Sequence, residues 1–226
     1  MGGLFVTGTG TGVGKTVLAA AVCAALVRRR VGVAAFKPVV TGTAEPGAGW
    51  PPDHELLAAV TGGRPEDVCP LRFGPAVSPH LAAELAGEAI DPTSALRAAR
   101  AAGGRAQTLV CEGVGGLLVP LTAGYCVRDL ARELGFPVVI AAAPGLGTIN
   151  HTLLTLEAAR AGGLDVRAVV LTPWPEAPGV VERSNLQTIS ALGEVPVTTL
   201  ARVADPGFEA LAAAGGTLPV DAWLAD

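Results

Sequence analysis

The stretch from Thr7 to Thr16, TGTGTGVGKT, constrains the fold of this chain more than any other. It lies between an apolar tetrapeptide, Leu4–Thr7, and a run of helical composition that begins at Lys15. Glycine is unfavourable where a helix begins unless the backbone needs a conformation or a close approach that side chains forbid. A strand, a glycine loop ending in GKT and a helix together form the arrangement in which backbone N–H groups surround phosphate oxygens. The loop therefore predicts that the chain binds a nucleotide.

Two side chains of the loop have expected roles in such a site. Lys15 would reach the β- and γ-phosphates, and the Thr16 hydroxyl would coordinate Mg²⁺. The spacing departs from G-x-x-x-x-G-K-[ST], because the residue five before Gly14 is Thr9. Counted from Gly8, the loop is thus one residue longer. The alternative is a glycine-rich turn with no ligand, which the flanking strand and helix disfavour.

Short Val-rich runs alternate with Ala- and Leu-rich helical runs along the chain. The predicted strands are 4–7, 33–37, 108–112, 137–142, 167–172 and a weaker one at 195–199. The predicted helices are 15–30, 54–61, 79–86, 94–102, 127–134, 148–161 and 180–192. The strands are apolar throughout, as strands covered on both faces should be. We expect an α/β fold of the P-loop NTPase type, with a doubly wound, mostly parallel sheet, helices on both faces and one domain over residues 1–226.

Composition excludes several classes of function. The net charge of −4 and pI near 5.4 give no electrostatic basis for nucleic-acid binding. The first residues lack a signal peptide, and no run of eighteen apolar residues suits a membrane span, so we expect a cytoplasmic protein. Cys23 and Cys111 lie in apolar runs, and the four cysteines form no C-x-x-C pair, which favours buried reduced thiols over disulfides or zinc.

Charged residues follow two of the predicted strands. Lys37 ends the second strand, from where its ammonium could meet a transferring phosphoryl group. The alternative for Lys37 is a partly exposed residue with no such role. Glu112 ends the third strand, and a carboxylate there is costly to bury unless a cation lies beside it; Mg²⁺ is the obvious candidate. Asp53 is either a helix cap or a second carboxylate for the metal.

Two loops, 38–52 and 64–78, are longer than the fold requires, and long connections in a compact domain often carry function. The motifs TGTGTGVGKT, FKPVVTG (36–42), SPH (78–80), CEGVGGLLVPL (111–121) and GLGTINHTLLT (145–155) occur in order. Together they resemble the dethiobiotin synthetase family of the P-loop superfamily, from Leu4 to about Val197.

The resemblance implies a homodimeric enzyme of biotin biosynthesis that closes a cyclic urea. In that reaction 7,8-diaminononanoate takes up CO₂ on one amine as a carbamate. ATP phosphorylates the carbamate, and the second amine then attacks the mixed anhydride and expels phosphate. Activation of a carbamate, a poor electrophile, needs a γ-phosphoryl group held in line for transfer.

The resemblance also implies roles for residues that match the family's motifs. Thr16, Asp53 and Glu112 would bind Mg²⁺, and the catalytic residues would be Lys37, Lys15 and Thr11. The nucleotide would contact Gly12, Val13, Gly14, Lys15, Thr16, Val17, Asp53, Glu112, Gly113, Val114, Gly115, Thr172, Pro173, Pro196, Val197 and Thr198. The substrate would contact Thr41 and, from across the dimer interface, the helix start Gly147, Thr148, Ile149 and Asn150. From the sequence alone, Asn150 could equally be a capping residue.

Three positions depart from the family pattern. Val114 replaces the alanine of EGAGG, a change that the site should tolerate. Thr172 and Pro173 stand where many relatives have an asparagine that reads the adenine edge, so we expect a weakened preference for ATP over other triphosphates. Asn185 stands where some relatives carry a tyrosine that contacts the substrate carboxylate from the partner subunit.

Three other functions compete with this interpretation. Regulatory ATPase switches of the partitioning or cell-division kind (the ParA and MinD types) share the fold, but their loop carries an early lysine in KGG, and this chain has Thr7-Gly8-Thr9. A corrinoid amidoligase would need a further glutamine-hydrolysing domain, for which 226 residues leave no room. A paralogue that binds nucleotide without catalysis is disfavoured by the joint presence of Lys15, Thr16, Lys37, Asp53 and Glu112.

Overall fold

The computed structural model describes residues 2–45 and 49–225. Its ten strands are β1 (Gly2–Gly8), β2 (Val33–Phe36), β3 (Val39–Val40), β4 (Leu71–Arg72), β5 (Thr108–Glu112), β6 (Pro120–Thr122), β7 (Tyr125–Cys126), β8 (Val138–Ala142), β9 (Val166–Trp174) and β10 (Val197–Ala201). Six of them form one parallel sheet in the order β10-β9-β8-β1-β5-β2. All six strands predicted from the sequence are present, and the predicted parallel sheet is confirmed.

The described helices are α1 (Lys15–Arg28), α2 (Asp53–Thr61), α3 (Pro65–Val68), α4 (Pro79–Ala86), α5 (Pro92–Gly103), α6 (Val127–Leu134), α7 (Thr148–Ala161), α8 (Val180–Gly193), α9 (Phe208–Gly215) and α10 (Val220–Leu224). The seven predicted helices are among them, with ends that differ by at most two residues. Within the described part of the chain, no helix is both long and apolar enough to cross a membrane.

Apolar side chains are buried on both faces of the sheet. Leu4 and Val6 of β1 belong to the cluster that packs against α1, whereas Phe5, between them, belongs to the cluster on the opposite face. This alternation explains why β1 is apolar throughout rather than polar at every second residue. Cys23 and Cys111 are buried free thiols, as predicted.

Helix α1, which begins inside the glycine motif, is enclosed by other elements. Its residues from Leu18 to Leu26 are all buried, and its neighbours include α2 and α9. The approach of α9 is close enough that a Cβ on Gly215 would lie 2.0 Å from the carbonyl oxygen of Ala21. Only glycine permits this contact, so α9 helps to hold α1 in place. The sequence pattern predicted neither α9 nor α10.

The two long loops contain further structure. Strand β3 in loop 38–52 pairs with β4 in loop 64–78, so the two loops are joined by a short parallel ribbon. Residues 46–48 of the first loop lie outside the described residues. The ribbon holds both loops beside the carboxyl ends of β2 and β5, where ligands gather in sheets of this kind.

Candidate active site

The glycine loop connects β1 to α1 at the carboxyl edge of the sheet. Gly12 and Gly14 have φ angles of 75° and 86°, in the left-handed region that favours glycine. Thr172 of β9 lies behind Gly14, so that a Cβ on Gly14 would be 2.9 Å from the Thr172 methyl carbon. No side chain caps α1, and its first N–H groups are therefore available to an anion.

Lys15 lies back across its own loop. Its Nζ donates a hydrogen bond to the carbonyl oxygen of Gly10 over 2.7 Å, and its side chain packs on Gly8. Burial lowers the pKa of Lys15 to about 8, although Glu112 acts in the opposite direction. The loop thus holds a lysine ammonium at a place where a bound phosphate would stabilise its charge.

Four side chains from separate parts of the chain meet beside the loop. The Nζ of Lys37 lies 2.5 Å from Oε1 of Glu112 and 2.8 Å from Oδ2 of Asp53. The hydroxyl of Thr16 donates to the same Glu112 oxygen over 2.8 Å. Lys37 is 3% exposed and Glu112 is fully buried, so this charged cluster has little contact with solvent on the Glu112 side. We name these four residues, Thr16, Lys37, Asp53 and Glu112, the carboxylate cluster.

Burial and charge act against each other within the carboxylate cluster. Burial alone would lower the pKa of Lys37, but the two carboxylates raise it above its ordinary value. Burial alone would raise the pKa of Asp53, but the Lys37 ammonium lowers it. At Glu112 burial is the larger effect and raises the pKa above the usual range of a glutamate. Glu112 therefore needs a cation beside it, and Lys37 supplies one.

The residues predicted to hold Mg²⁺ are among those that the cluster brings together. Oε2 of Glu112 is buried and has no hydrogen-bond partner among the described residues. A buried carboxylate oxygen without a partner is costly, and a hard cation satisfies it. Two carboxylates and a hydroxyl beside a phosphate-binding loop form an oxygen donor set of the kind that Mg²⁺ prefers, so the residues present fit this ion.

A cavity of about 770 Å³ lies between the glycine loop, the carboxylate cluster and the two long loops. Twelve of the predicted site residues line it: Thr11, Gly12, Gly14, Lys15, Thr16, Val17, Lys37, Thr41, Asp53, Glu112, Val114 and Gly115. Nine lining residues were not predicted as site residues: Val40, Trp50, Pro51, Leu56, Ala76, Val77, Ser78, Pro79 and Val119. Ser78 stood in the SPH motif, and a run of apolar residues around the predicted contact Thr41 could have indicated Val40. Pro79 stood in the same SPH motif and Val119 in CEGVGGLLVPL, whereas Trp50, Pro51, Leu56, Ala76 and Val77 lay in none of the recognised motifs.

The remaining predicted nucleotide contacts lie outside this lining. Val13 and Gly113 are neighbours of lining residues, and Gly113 packs on Val127. Thr172 contacts the loop at Gly14, and Pro173 follows it within β9. Pro196, Val197 and Thr198 lie at the amino end of β10. Pro196 comes just before the strand, and Val197 and Thr198 pair with Val169 and Val170 of β9. The carboxyl edge at β10 is formed by Ala201, which pairs with Trp174, and the structure does not bring Pro196 to that edge.

The predicted substrate contacts at the start of α7 also lie away from the cavity. Gly147, with φ 91°, precedes the helix; Gly147 and Asn150 are exposed, and the adjoining Leu146 is 97% exposed. Asn185 is buried, and its amide donates to the carbonyl oxygens of Pro144 and Gly145 over 2.8 and 3.0 Å. Asn185 therefore holds the loop before α7 within its own chain.

Comparison with known proteins assigns the chain to a family. Residues 2–203 match the family model described as an AAA domain. The chain is 40% identical over 208 residues to the ATP-dependent dethiobiotin synthetase BioD of Anaeromyxobacter sp. (strain Fw109-5), covering 91% of this chain and 92% of that protein. The chain belongs to the dethiobiotin synthetase family. The protein of the same name from Rhodococcus jostii (strain RHA1) is 39% identical over 218 residues, with 92% of each chain covered.

Solved structures with a similar fold are more distant from this dethiobiotin synthetase family member. The cell division ATPase MinD of Pyrococcus furiosus has a TM-score of 0.52 and 16% identity, covering 97% of this chain and 90% of that chain. MinD of Pyrococcus horikoshii OT3, complexed with Mg-ADP, has a TM-score of 0.53 and 13% identity, covering 96% and 95%. These similarities agree with the P-loop fold type and concern the fold alone.

Proposed function

We propose that this chain is an ATP-dependent dethiobiotin synthetase, a cyclo-ligase that forms the ureido ring of dethiobiotin. One amine of 7,8-diaminononanoate bonds to CO₂ and loses a proton, giving a carbamate. A carbamate oxygen takes the γ-phosphoryl group of ATP, and the bond to ADP breaks. The second amine then attacks the carbamoyl carbon and loses a proton, so that the ring closes and inorganic phosphate leaves. The observation that carries the proposal is the 40% identity to a synthetase of this name over 91% of the chain.

Each lysine of the site has a distinct role in this proposal. Lys15 contacts the β- and γ-phosphates, together with the N–H groups of the glycine loop, and so fixes the phosphate chain. Lys37 lines the same cavity and places its ammonium on the carbamate and the transferring phosphoryl group, where negative charge is shared in the transition state. Thr11 and Thr41 line the cavity and contact phosphate and substrate through hydroxyl or backbone groups.

We propose that Thr16, Asp53 and Glu112 hold a Mg²⁺ ion. When bound, the ion neutralises charge on the phosphate oxygens and helps to hold the transferring group in line. The support is the convergence of these oxygen donors and the partnerless Oε2 of Glu112.

We further propose a homodimer in which the start of α7 contributes to the partner's site. Apolar side chains are exposed around this helix start, and the N–H groups that follow Gly147 suit a substrate carboxylate. The exposed apolar residues of this surface are Leu146, Leu154, Val180 and Val181. A mixture of Lys37→Gln with Asn150→Ala tests the arrangement once each variant alone is shown to have lost most of its activity. Shared sites predict that subunit exchange restores activity in mixed dimers, whereas no recovery contradicts it.

The proposal also covers the setting of the reaction. We propose one catalytic domain over residues 1–226, acting on small molecules in the cytoplasm, where ATP is available. The base of the triphosphate is left open, because Thr172 offers one hydroxyl and Pro173 offers no backbone donor.

The decisive experiment combines the purified full chain with 7,8-diaminononanoate, labelled bicarbonate, Mg²⁺ and ATP. We expect the ureido product by mass spectrometry, carrying one labelled carbon, with one phosphate released per product. A matched reaction without the diamine should release little phosphate. Steady ATP hydrolysis without diamine, and no ureido product with it, would instead favour a regulatory ATPase of the MinD kind. The absence of an early lysine at Thr7-Gly8-Thr9 already disfavours that alternative.

A further inference from the structure

The chain contains only two lysines, Lys15 and Lys37, and both line the cavity. Its other positively charged side chains are arginines, since Lys and Arg together number 16. An ammonium is a compact point charge with three donors, and a planar guanidinium cannot replace it within a narrow set of oxygens. The two lysines are thus confined to the places where a small cation is needed.

Lys37 contacts both of the carboxylates that are the candidate ligands of a divalent cation. Its Nζ lies 2.5 Å from Oε1 of Glu112 and 2.8 Å from Oδ2 of Asp53, within bonding distance of both carboxylates. Oxygens bind Mg²⁺ at about 2.0–2.1 Å, so neighbouring ligands of an octahedral ion are about 3.0 Å apart. The Thr16 hydroxyl lies 2.8 Å from Oε1 of Glu112, close to that edge length. Two of the oxygens that suit the ion, Oε1 of Glu112 and Oδ2 of Asp53, contact the ammonium, and the partnerless Oε2 of Glu112 belongs to the same carboxylate.

We propose that the divalent cation and the Lys37 ammonium are alternative occupants of the Glu112–Asp53 pair. An ion held by Thr16 and the two carboxylates leaves no room for an ammonium at the observed distances, and two cations this close repel each other. Metal binding therefore moves the Lys37 ammonium off the carboxylates and into the cavity that its side chain already lines. This inference rests on the proposed function only for the presence of a divalent cation.

Competition of this kind explains how a buried glutamate is tolerated. Glu112 is fully buried, and removal of the ammonium that is bonded to it would leave a poorly compensated carboxylate. Lys37 balances that charge until the metal does so, and then becomes available for the carbamate and the phosphoryl group. The catalytic ammonium is thereby directed to the substrate when the metal is in place.

Mn²⁺ binding to the full chain, without nucleotide or diamine, tests the proposal. Free Mn²⁺ is counted by electron paramagnetic resonance for wild type, Lys37→Met and Lys15→Met. Lys15→Met is the matched control, because it removes a nearby positive charge that contacts Gly10 rather than the carboxylates. We expect Lys37→Met to bind Mn²⁺ at least about tenfold more tightly than wild type, and at least about fivefold more tightly than Lys15→Met. A smaller ratio between the two variants, or no binding by Lys37→Met, overturns the proposal.

A second measurement does not depend on the folding of Lys37→Met. In the Lys15→Met variant Lys37 is the only lysine, so ¹³C-lysine labelling gives one Cε signal. Added Mg²⁺ should shift the Cε signal. Its relaxation should also show a more mobile Lys37 side chain, because the ammonium leaves the carboxylates. A signal that saturating Mg²⁺ leaves unchanged contradicts the proposal. Both measurements are made without substrate, so failure of the ureido assay and failure of the competition are separate results.

Discussion

The Nζ of Lys37 and Oε1 of Glu112 lie 2.5 Å apart, although the two residues are 75 positions apart in the sequence. They meet because β2 and β5 are adjacent and parallel, with Phe36 paired with Cys111 one residue before each. The two strands therefore place opposite charges at the same level of the carboxyl edge. The glycine loop follows β1, the other neighbour of β5, which completes the site from three adjacent strands.

Replacement of Lys37 should separate catalysis from nucleotide binding. We expect Lys37→Gln to lower turnover by at least about a hundredfold, the scale for losing one contact to transition-state charge. Nucleotide affinity should be nearly intact, because Lys15 and the loop N–H groups provide the ground-state contacts. Initial rates and calorimetric titration with a non-hydrolysable analogue measure the two effects. Equal losses in rate and affinity would mean that Lys37 only anchors the ground state.

Replacement of Lys15 should act on binding first. We expect Lys15→Ala to weaken triphosphate binding by at least about tenfold, since it removes the ammonium that contacts the phosphates. The same calorimetric titration measures this loss, with Lys37→Gln as the comparison. An unchanged affinity would show that the hydrogen bond of Lys15 to Gly10 persists in the nucleotide complex.

Base selection should be weak. Thr172 offers one hydroxyl, and Pro173 offers no backbone donor, to a nucleotide base. Rates with ATP, GTP and CTP at equal sub-saturating concentrations should therefore be similar. Thr172→Val, which keeps the methyl contact with Gly14 and removes the hydroxyl, should abolish any preference that remains. A large advantage of ATP in the wild-type chain would refute this prediction.

The contact between α9 and α1 should be sensitive to one methyl group. A Cβ on Gly215 would lie 2.0 Å from the Ala21 oxygen, so Gly215→Ala forces α9 away from α1. We expect a loss of at least about 2 kcal/mol in the free energy of unfolding, measured with urea. The gain of up to about 1 kcal/mol from replacing glycine in a helix is smaller. Gly216→Ala, at an exposed neighbouring position, is the control and should be nearly neutral.

Acid should remove the stabilising effect of Asp129. Its carboxylate accepts a hydrogen bond from the Cys126 N–H over 2.9 Å at the start of α6. Burial alone would raise the pKa of Asp129, but this bond, the Cys126 thiol and Arg132 lower it below 3.8. A lowered pKa in the folded chain means that the stabilisation is complete above pH 3.8 and is lost as the pH falls through the folded-state value.

The comparison of Asp129→Ala with wild type tests whether this contribution to stability is lost as the pH falls. The variant should be less stable by about 1 kcal/mol near pH 7, the usual effect of losing a helix cap, and the difference should shrink below pH 3.8. Glu157→Ala, on the exposed side of α7, is the control. A difference between Asp129→Ala and wild type that stays constant from pH 7 to pH 3 would contradict the assignment.

Much of the fold follows from local patterns in the sequence. Strands buried on both faces are recognisable as apolar runs. The predicted bounds of the strand 108–112 and of the helices 127–134 and 148–161 agree with the structure to the residue. The ribbons β3–β4 and β6–β7 have strands of two or three residues, too short for any periodicity to appear. Helix α9 depends on its packing against α1, which no local pattern reports.

The sequence predicted the chemical kind of the site more accurately than the contacts between its residues. Glu112 was expected to need a cation, and Mg²⁺ was the candidate; the structure shows that the Lys37 ammonium already lies beside it. That pairing depends on which strands are neighbours, a property of the whole sheet. The apolar wall that includes Trp50 and Val77 was missed because it comes from two long loops whose contact depends on the β3–β4 ribbon.

Helix α1 carries Lys15 and Thr16 at its first turn and is buried along most of its length. A ligand that fixes this first turn therefore stabilises the element around which both α2 and α9 pack. The free energy of unfolding of the whole protein should rise by RT ln(1 + [L]/Kd), and the melting temperature should rise with it. A simple dye-based heating assay could then rank nucleotides, metal ions and inhibitor candidates without any enzymatic readout.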